Sequence, residues 1–233
     1  CNFISFWDEL TFCNIKSVRA VTQKLTEIDF DLTWTASSRG NLFKKSHRDL
    51  IAQMKETGCE SMGASLESAN PEILKAMNKK MALNDFVEHA TVLWEGGLTP
   101  LTSIIFGYPQ ESPESIKQTL EICERCHLYP SAGFLLLLPG TPIYEEAKAK
   151  GKIVDEVEYL MNIGDRQDFS VNMTSMSDEE LIGRTRDGLL ALADKLGLDL
   201  KDPFKTGTYQ RPKTAPDFTE PKAQPSAVEA VSC

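Results

Sequence analysis

The stretch CESMGASLESANPEI, Cys59 to Ile73, reads as a strand, an acid and a helix start in immediate succession. Cys59 to Leu66 is small and apolar and has strand length. Asn70 before Pro71 is a helix start with a mechanism. The amide side chain accepts from a free N–H of the first turn, and proline at the first helical position has no N–H to leave unsatisfied. Glu67 falls between the two, at the strand's carboxyl end. A strand that passes within a few residues into a helix is half of a βαβ unit.

The same unit repeats on either side. Strand-like runs lie at Asn2–Trp7, Leu32–Ser37, Leu101–Gly107 and Ser131–Leu138. Helical runs lie at about Ile15–Ile28, Arg48–Thr57, Pro71–Met77, Leu83–Trp94, Pro113–Cys126 and Pro142–Lys150. Ser112 before Pro113 and Thr141 before Pro142 repeat the Asn70–Pro71 signal. The strands read as near-continuous apolar runs, which predicts burial on both faces. Successive βα units predict an α/β fold with a parallel sheet, either open and doubly wound or curved into a barrel. In such units the strand carboxyl ends and helix amino ends share one rim. That rim collects unpaired N–H groups and suits an anionic ligand group.

Composition narrows the possible partners. The chain has 233 residues and a formal net charge of -9. So acidic a surface repels phosphate backbones and anionic lipids, so no nucleic acid partner is expected. No apolar run reaches the roughly 20 residues of a membrane span. The six cysteines are scattered, which speaks for a reducing cytoplasm and against a disulfide scaffold. Cys123 and Cys126 form the one close pair, late in a helical run, and read as packed thiols. His47, His89 and His127 lie on or beside helices and read as surface or packed imidazoles.

After about Lys152 the pattern changes. Ser177 and Glu180 stand in capping-box spacing ahead of a helix whose Leu181, Leu189, Leu192 and Leu196 form an apolar face. The expected organisation is a barrel segment over 1–153, a helical extension over 154–201 and a disordered tail over 202–233.

Three acids and one guanidinium fall on the predicted rim. Asp8 and Glu9 end the first strand, Arg39 follows the second and Glu67 ends the third. Carboxylates that accept from an ammonium, beside an arginine that grips a carboxylate with two prongs, suit a ligand with amino-acid character.

In order, the motifs NFISFWDELTF, WTASSRGNLF, GASLESANPEILKAMNKKM, IIFGYPQESPES and FLLLLPGTPIYEEA resemble the radical S-adenosylmethionine (SAM) enzymes over roughly residues 2 to 153. The branch they most resemble often carries an upstream cobalamin-binding domain. The resemblance implies a partial parallel (β/α)6-type barrel, here lacking its first βα unit. It also implies SAM lying across the strand ends on a [4Fe-4S] cluster. Asp8, Glu9, Arg39 and Glu67 would sit near SAM, with Gly107 and Pro109 approaching its adenine. It further implies a 5′-deoxyadenosyl radical, hydrogen abstraction from a small-molecule substrate, and cobalamin-linked methyl transfer as an option. An electron donor such as flavodoxin or ferredoxin would be the partner.

The family's cluster motif, CxxxCxxC, is missing from this chain. Either the cluster loop lies upstream of Cys1, which opens the chain without a Met, or the chain is a degenerate copy. In both cases the chain alone is expected to be inactive in radical chemistry. Two other readings use the same rim: a radical-free barrel lyase or isomerase with paired carboxylates, and a cluster-less binding protein.

Overall fold

The computed structural model describes residues 2–7 and 10–204. Asp8 and Glu9 lie outside the described residues, as do Cys1 and residues 205–233. The strands are β1 (Phe3–Ser5), β2 (Thr33–Ser37), β3 (Cys59–Gly63), β4 (Thr99–Leu101), β5 (Ser103–Phe106) and β6 (Ser131–Phe134). The helices are α1 (Ile15–Leu25), α2 (Arg48–Glu56), α3 (Pro71–Ala76), α4 (Leu83–Glu95), α5 (Pro113–Arg125), α6 (Pro142–Ala149), α7 (Glu156–Asn162) and α8 (Asp178–Lys195).

All described strand pairs are parallel, and the strands lie side by side in chain order, β1-β2-β3-β4 and β5-β6. A doubly wound sheet reverses its order at a switch point, and a barrel does not. Chain order therefore selects the barrel. The run Leu101–Gly107 is interrupted at Thr102, whose hydroxyl accepts from Leu66 N–H at 3.1 Å and donates to Ala64 C=O at 2.9 Å. Backbone pairing continues past the break, because Glu67 N–H reaches Ser103 C=O at 3.0 Å and Ile105 N–H reaches Glu67 C=O at 2.9 Å.

The helix starts form as their caps require. Asn70 accepts from the N–H groups of Glu72 and Ile73, Ser112 from Ser115 and Thr141 from Tyr144. At α8 only half of the capping box forms. Ser177 accepts from Glu180 N–H, while the Glu180 carboxylate accepts from Arg184 Nε at 2.8 Å. Helix α7, capped by Asp155, has no counterpart in the sequence reading.

Burial on both faces, expected from the apolar runs, is not what the sheet shows. In β2, Trp34 and Ala36 are buried while Thr33, Thr35 and Ser37 are half-buried. Trp34, Ala36 and Met62 share a core with Val18 of α1, Leu50, Ile51 and Met54 of α2 and Val92 of α4. Ile104 and Phe106 share one with Phe86 of α4, Ile116 and Leu120 of α5 and Leu181, Leu189, Leu192 and Leu196 of or next to α8. These helices therefore cover one face; the other carries serine and threonine rows over β1–β4, and at β5 Ile105, which packs against a third cluster of Leu135, Leu137, Tyr144 and Met173. The reading failed because serine and threonine also occupy alternate positions within apolar-looking runs.

Phe204, just inside the stretch read as tail, is buried and stacks on Phe134 with ring centroids 5.0 Å apart. Tyr129 donates its hydroxyl to Pro203 C=O at 3.2 Å.

Candidate functional site

The polar face is organised by strand register. Partners in a parallel ladder point their side chains to the same side of the sheet. Ser5, Thr35, Ser61 and Thr99 stand in register across β1 to β4 and so form one row of hydroxyls. Thr35 donates to Ser5 Oγ at 3.3 Å. Ser61 is 1% exposed, and its hydroxyl has no hydrogen-bond partner among the described residues. Nearer the rim, Ser103 is in register with Ser131 and donates to Ser65 Oγ at 2.8 Å, giving a second row.

Glu67 stands two residues beyond Ser65, at the strand end, bridged to Ile104 of β5. Its backbone is left-handed, φ 66°, and its carboxylate receives the Lys79 ammonium at 3.2 Å. Lys79 was not singled out in the sequence; only the fold of the α3–α4 connection returns it to the strand end. A cleft of about 490 Å³ opens beside this pair, between Leu74, Met81 and Leu83, with Lys75 and Lys80 at its edge.

The next strand end supplies the turn Gly107–Glu111. Gly107 has φ 102°, a conformation that costs a side-chain-bearing residue. Its N–H donates to Glu111 Oε2 at 3.4 Å, and the Ser115 hydroxyl donates to Glu111 Oε1. Glu111 is 3% exposed, and burial pushes its carboxyl up to about 7 against the pull of the two donors. Tyr108, in the same turn, is raised above the ordinary phenol range by burial first and by the Glu67 charge second. The turn carrying Gly107 and Pro109 thus stands beside Glu67. Glu111 was missed because an acid just before a Ser–Pro cap reads as solvated.

At the β2 end, Ser38 N–H binds Gly63 C=O at 2.8 Å, and Arg39 N–H binds Phe12 C=O at 3.3 Å. Arg39 is exposed and forms no ion pair among the described residues. Thr11 N–H meets Ser37 Oγ at 3.2 Å and so ties down the loop that follows β1. From Ser5 opposite Thr35 to Phe12 opposite Ser38, this chain advances seven residues while its neighbour advances three. The structure therefore brings Glu67, Gly107 and Pro109 together, with Arg39 one strand away.

Two of the histidines accept backbone N–H groups. His89 is 1% exposed and accepts from Phe43 N–H at 3.1 Å; burial first, then the Lys44 charge, lowers its pKa to about 3. His47 accepts from Lys44 N–H. Cys59, Cys123 and Cys126 are buried, and burial raises all three thiols, Cys59 and Cys126 to about 12. Among the described residues no group of three or more His, Cys, Asp and Glu could hold a metal ion. Nor is any helix among them long and apolar enough to cross a membrane.

A parallel sheet in chain order, with Glu67 and the Gly107–Glu111 turn at strand carboxyl ends, has the form of a (β/α) barrel. Residues 12–123 match the Radical SAM superfamily. It is 28% identical to an uncharacterized methyltransferase of Pyrococcus horikoshii over 152 residues, 65% of this chain and 32% of that protein. It is 30% identical to the bacteriochlorophyllide d C-12(1)-methyltransferase of Chlorobaculum tepidum over 129 residues, 54% of this chain and 28% of that protein. The chain thus spans about a third of the length of these curated relatives. The coproporphyrinogen III oxidase HemN of Escherichia coli, described as a radical SAM enzyme, superposes with a TM-score of 0.50 at 14% identity. The match covers 78% of this chain and 37% of that one, and at that identity it speaks to fold alone.

Proposed function

We propose that this chain supplies the SAM-binding and substrate-facing surface of a radical SAM enzyme acting on a small molecule. The observation that carries the reading is Glu67, held half-buried at the strand end, paired with Lys79 and close enough to the Gly107–Pro109 turn for its charge to act on Tyr108. Glu67 would accept from the SAM ammonium in competition with Lys79, and Arg39 would take its carboxylate as a two-pronged pair. Gly107 and Pro109 would lie along the adenine. Asp8 and Glu9, outside the described residues, are proposed as further acceptors.

A [4Fe-4S] cluster supplies the electron that cleaves the sulfonium of SAM when bound. The described cysteines do not fit that group. Iron takes thiolates, and Cys59, Cys123 and Cys126 are buried with raised thiol pKa values, which among the described cysteines leaves exposed Cys13 alone where the family's motif has three. No step is therefore derived through a cluster, and the chain alone is proposed to form no 5′-deoxyadenosine. Methyl transfer is the finer reading favoured by the names of the two curated relatives. Cobalamin as methyl carrier, and flavodoxin or ferredoxin as electron donor, follow only from the branch resemblance.

Calorimetric titration of SAM into the chain tests the reading. Saturable binding that weakens on Glu67→Gln and on Arg39→Ala supports it. No binding, or equal binding by both variants, overturns it.

A further inference from the structure

Arg166 occupies a position that the SAM reading leaves unused. Its backbone extends the sheet past β6: the Phe134 N–H, directed away from β5, donates to Arg166 C=O at 2.6 Å. Its guanidinium donates to Ser131 C=O at 3.4 Å and to Ser131 Oγ. Ser131 is in register with Ser103, so this contact lies on the polar face, in line with Ser65 and Ser103.

Gly133 fixes the same placement independently. It pairs with Ile105 and lies two residues beyond Ser131, so it shares the face of Ser131 and Ser103. A Cβ at Gly133 would stand 2.8 Å from Arg166 C=O and 3.1 Å from Arg166 Cγ. Only glycine lets the arginine lean over the inner face. The guanidinium is part-buried and forms no ion pair among the described residues, in a chain of net charge -9. Ser131 engages two of its five N–H donors at most, which leaves a fork free. The partnerless hydroxyl of Ser61 on the same face also points to a polar occupant.

We propose that Arg166, pinned over the concave face by Ser131, binds an oxyanion of the substrate, a carboxylate or a phosphate. Strands about 4.8 Å apart put Ser131 roughly 10 Å across the sheet from Ser65. Ser65 in turn lies two residues below Glu67. A substrate anchored at Arg166 would thus extend along the serine row toward the SAM side of the rim. This assignment rests on reading the concave face as the substrate side of a SAM site.

The test uses the full chain with two probes, inorganic phosphate and glutarate. Affinities of parent and variants are measured by calorimetric titration, and the Arg166 Nε–H resonance is followed by NMR in the parent and in Ser131→Ala. SAM binding is measured in parallel. One or both probes should shift that resonance saturably, and which probe binds tighter separates phosphate from carboxylate recognition. Arg166→Gln should weaken binding roughly tenfold or more. Arg166→Lys should retain part of it, and Ser131→Ala, which keeps the charge but frees the side chain, should lose severalfold. SAM affinity should be unchanged in all three.

Arg166→Gln binding both probes like the parent overturns the proposal. If that variant fails to fold, undiminished binding by Ser131→Ala overturns it. Loss of SAM binding by the parent with anion binding intact sinks the radical SAM reading and leaves the arginine site standing.

Discussion

The hydroxyl of Ser115 donates to one oxygen of Glu111, and the other oxygen accepts from the backbone N–H of Gly107 at 3.4 Å. One carboxyl thereby ties the first turn of α5 to the turn at the end of β5, the one that would face the adenine.

Burial holds the Glu111 carboxyl at about 7, above its ordinary 4.5. The folded chain therefore binds the proton more tightly than the unfolded chain. This contribution is fully present below pH 4.5 and is lost as pH rises through about 7. Its size is on the order of 3 kcal/mol. Denaturant midpoints between pH 5 and 8 should fall in the parent and stay flatter in Glu111→Gln. Parallel slopes in the two proteins would contradict this.

Glu67→Gln removes a charge while keeping the shape of the side chain. A charge-assisted hydrogen bond is worth about 1.5–3 kcal/mol, so SAM affinity should drop roughly ten- to hundredfold. Lys79→Ala frees the same carboxylate and should leave SAM binding equal or tighter. Weaker binding in that variant would mean that Lys79 itself holds the ligand.

Gly107→Ala places a Cβ at φ 102°. The strain should cost about 1–3 kcal/mol of stability, read as a lower denaturant midpoint. SAM binding should weaken with it, because the turn carrying Pro109 must shift. A variant as stable as the parent would show that the turn relaxes freely.

Thiol labelling separates the described cysteines. Cys13 is exposed, while Cys59, Cys123 and Cys126 are buried with raised pKa values. At pH 8 an alkylating reagent, mapped by peptide mass, should modify Cys13 within minutes and the other three only under unfolding conditions. Rapid native modification of Cys123 or Cys126 would reopen them as metal or redox ligands.

Much of this architecture was readable along the chain. Asn70, Ser112 and Thr141 start their helices where their side chains predict, because a cap bonds to N–H groups two or three residues away. The placing of Gly107 and Glu67 at strand ends was readable for the same reason. Glu111 was not, since its burial depends on α5 folding back over the turn. Arg166 was not, since nothing near it in sequence announces Gly133 as its neighbour. Thr33, Thr35 and Ser37 looked like part of an apolar run until the helices took only one side of the sheet.

Residues within about four positions of one another settled the alternation of strands and helices and the rim where acids would gather, since caps and periodicity are local energies. The tertiary fold alone decided that Ser5, Thr35, Ser61 and Thr99 would line up, that Lys79 would meet Glu67, and that Arg166 would cross Gly133. Register between distant strands brings such groups together. Loss of water around a group, as at Glu111, follows from whatever closes over it and cannot be written in the group's own neighbours.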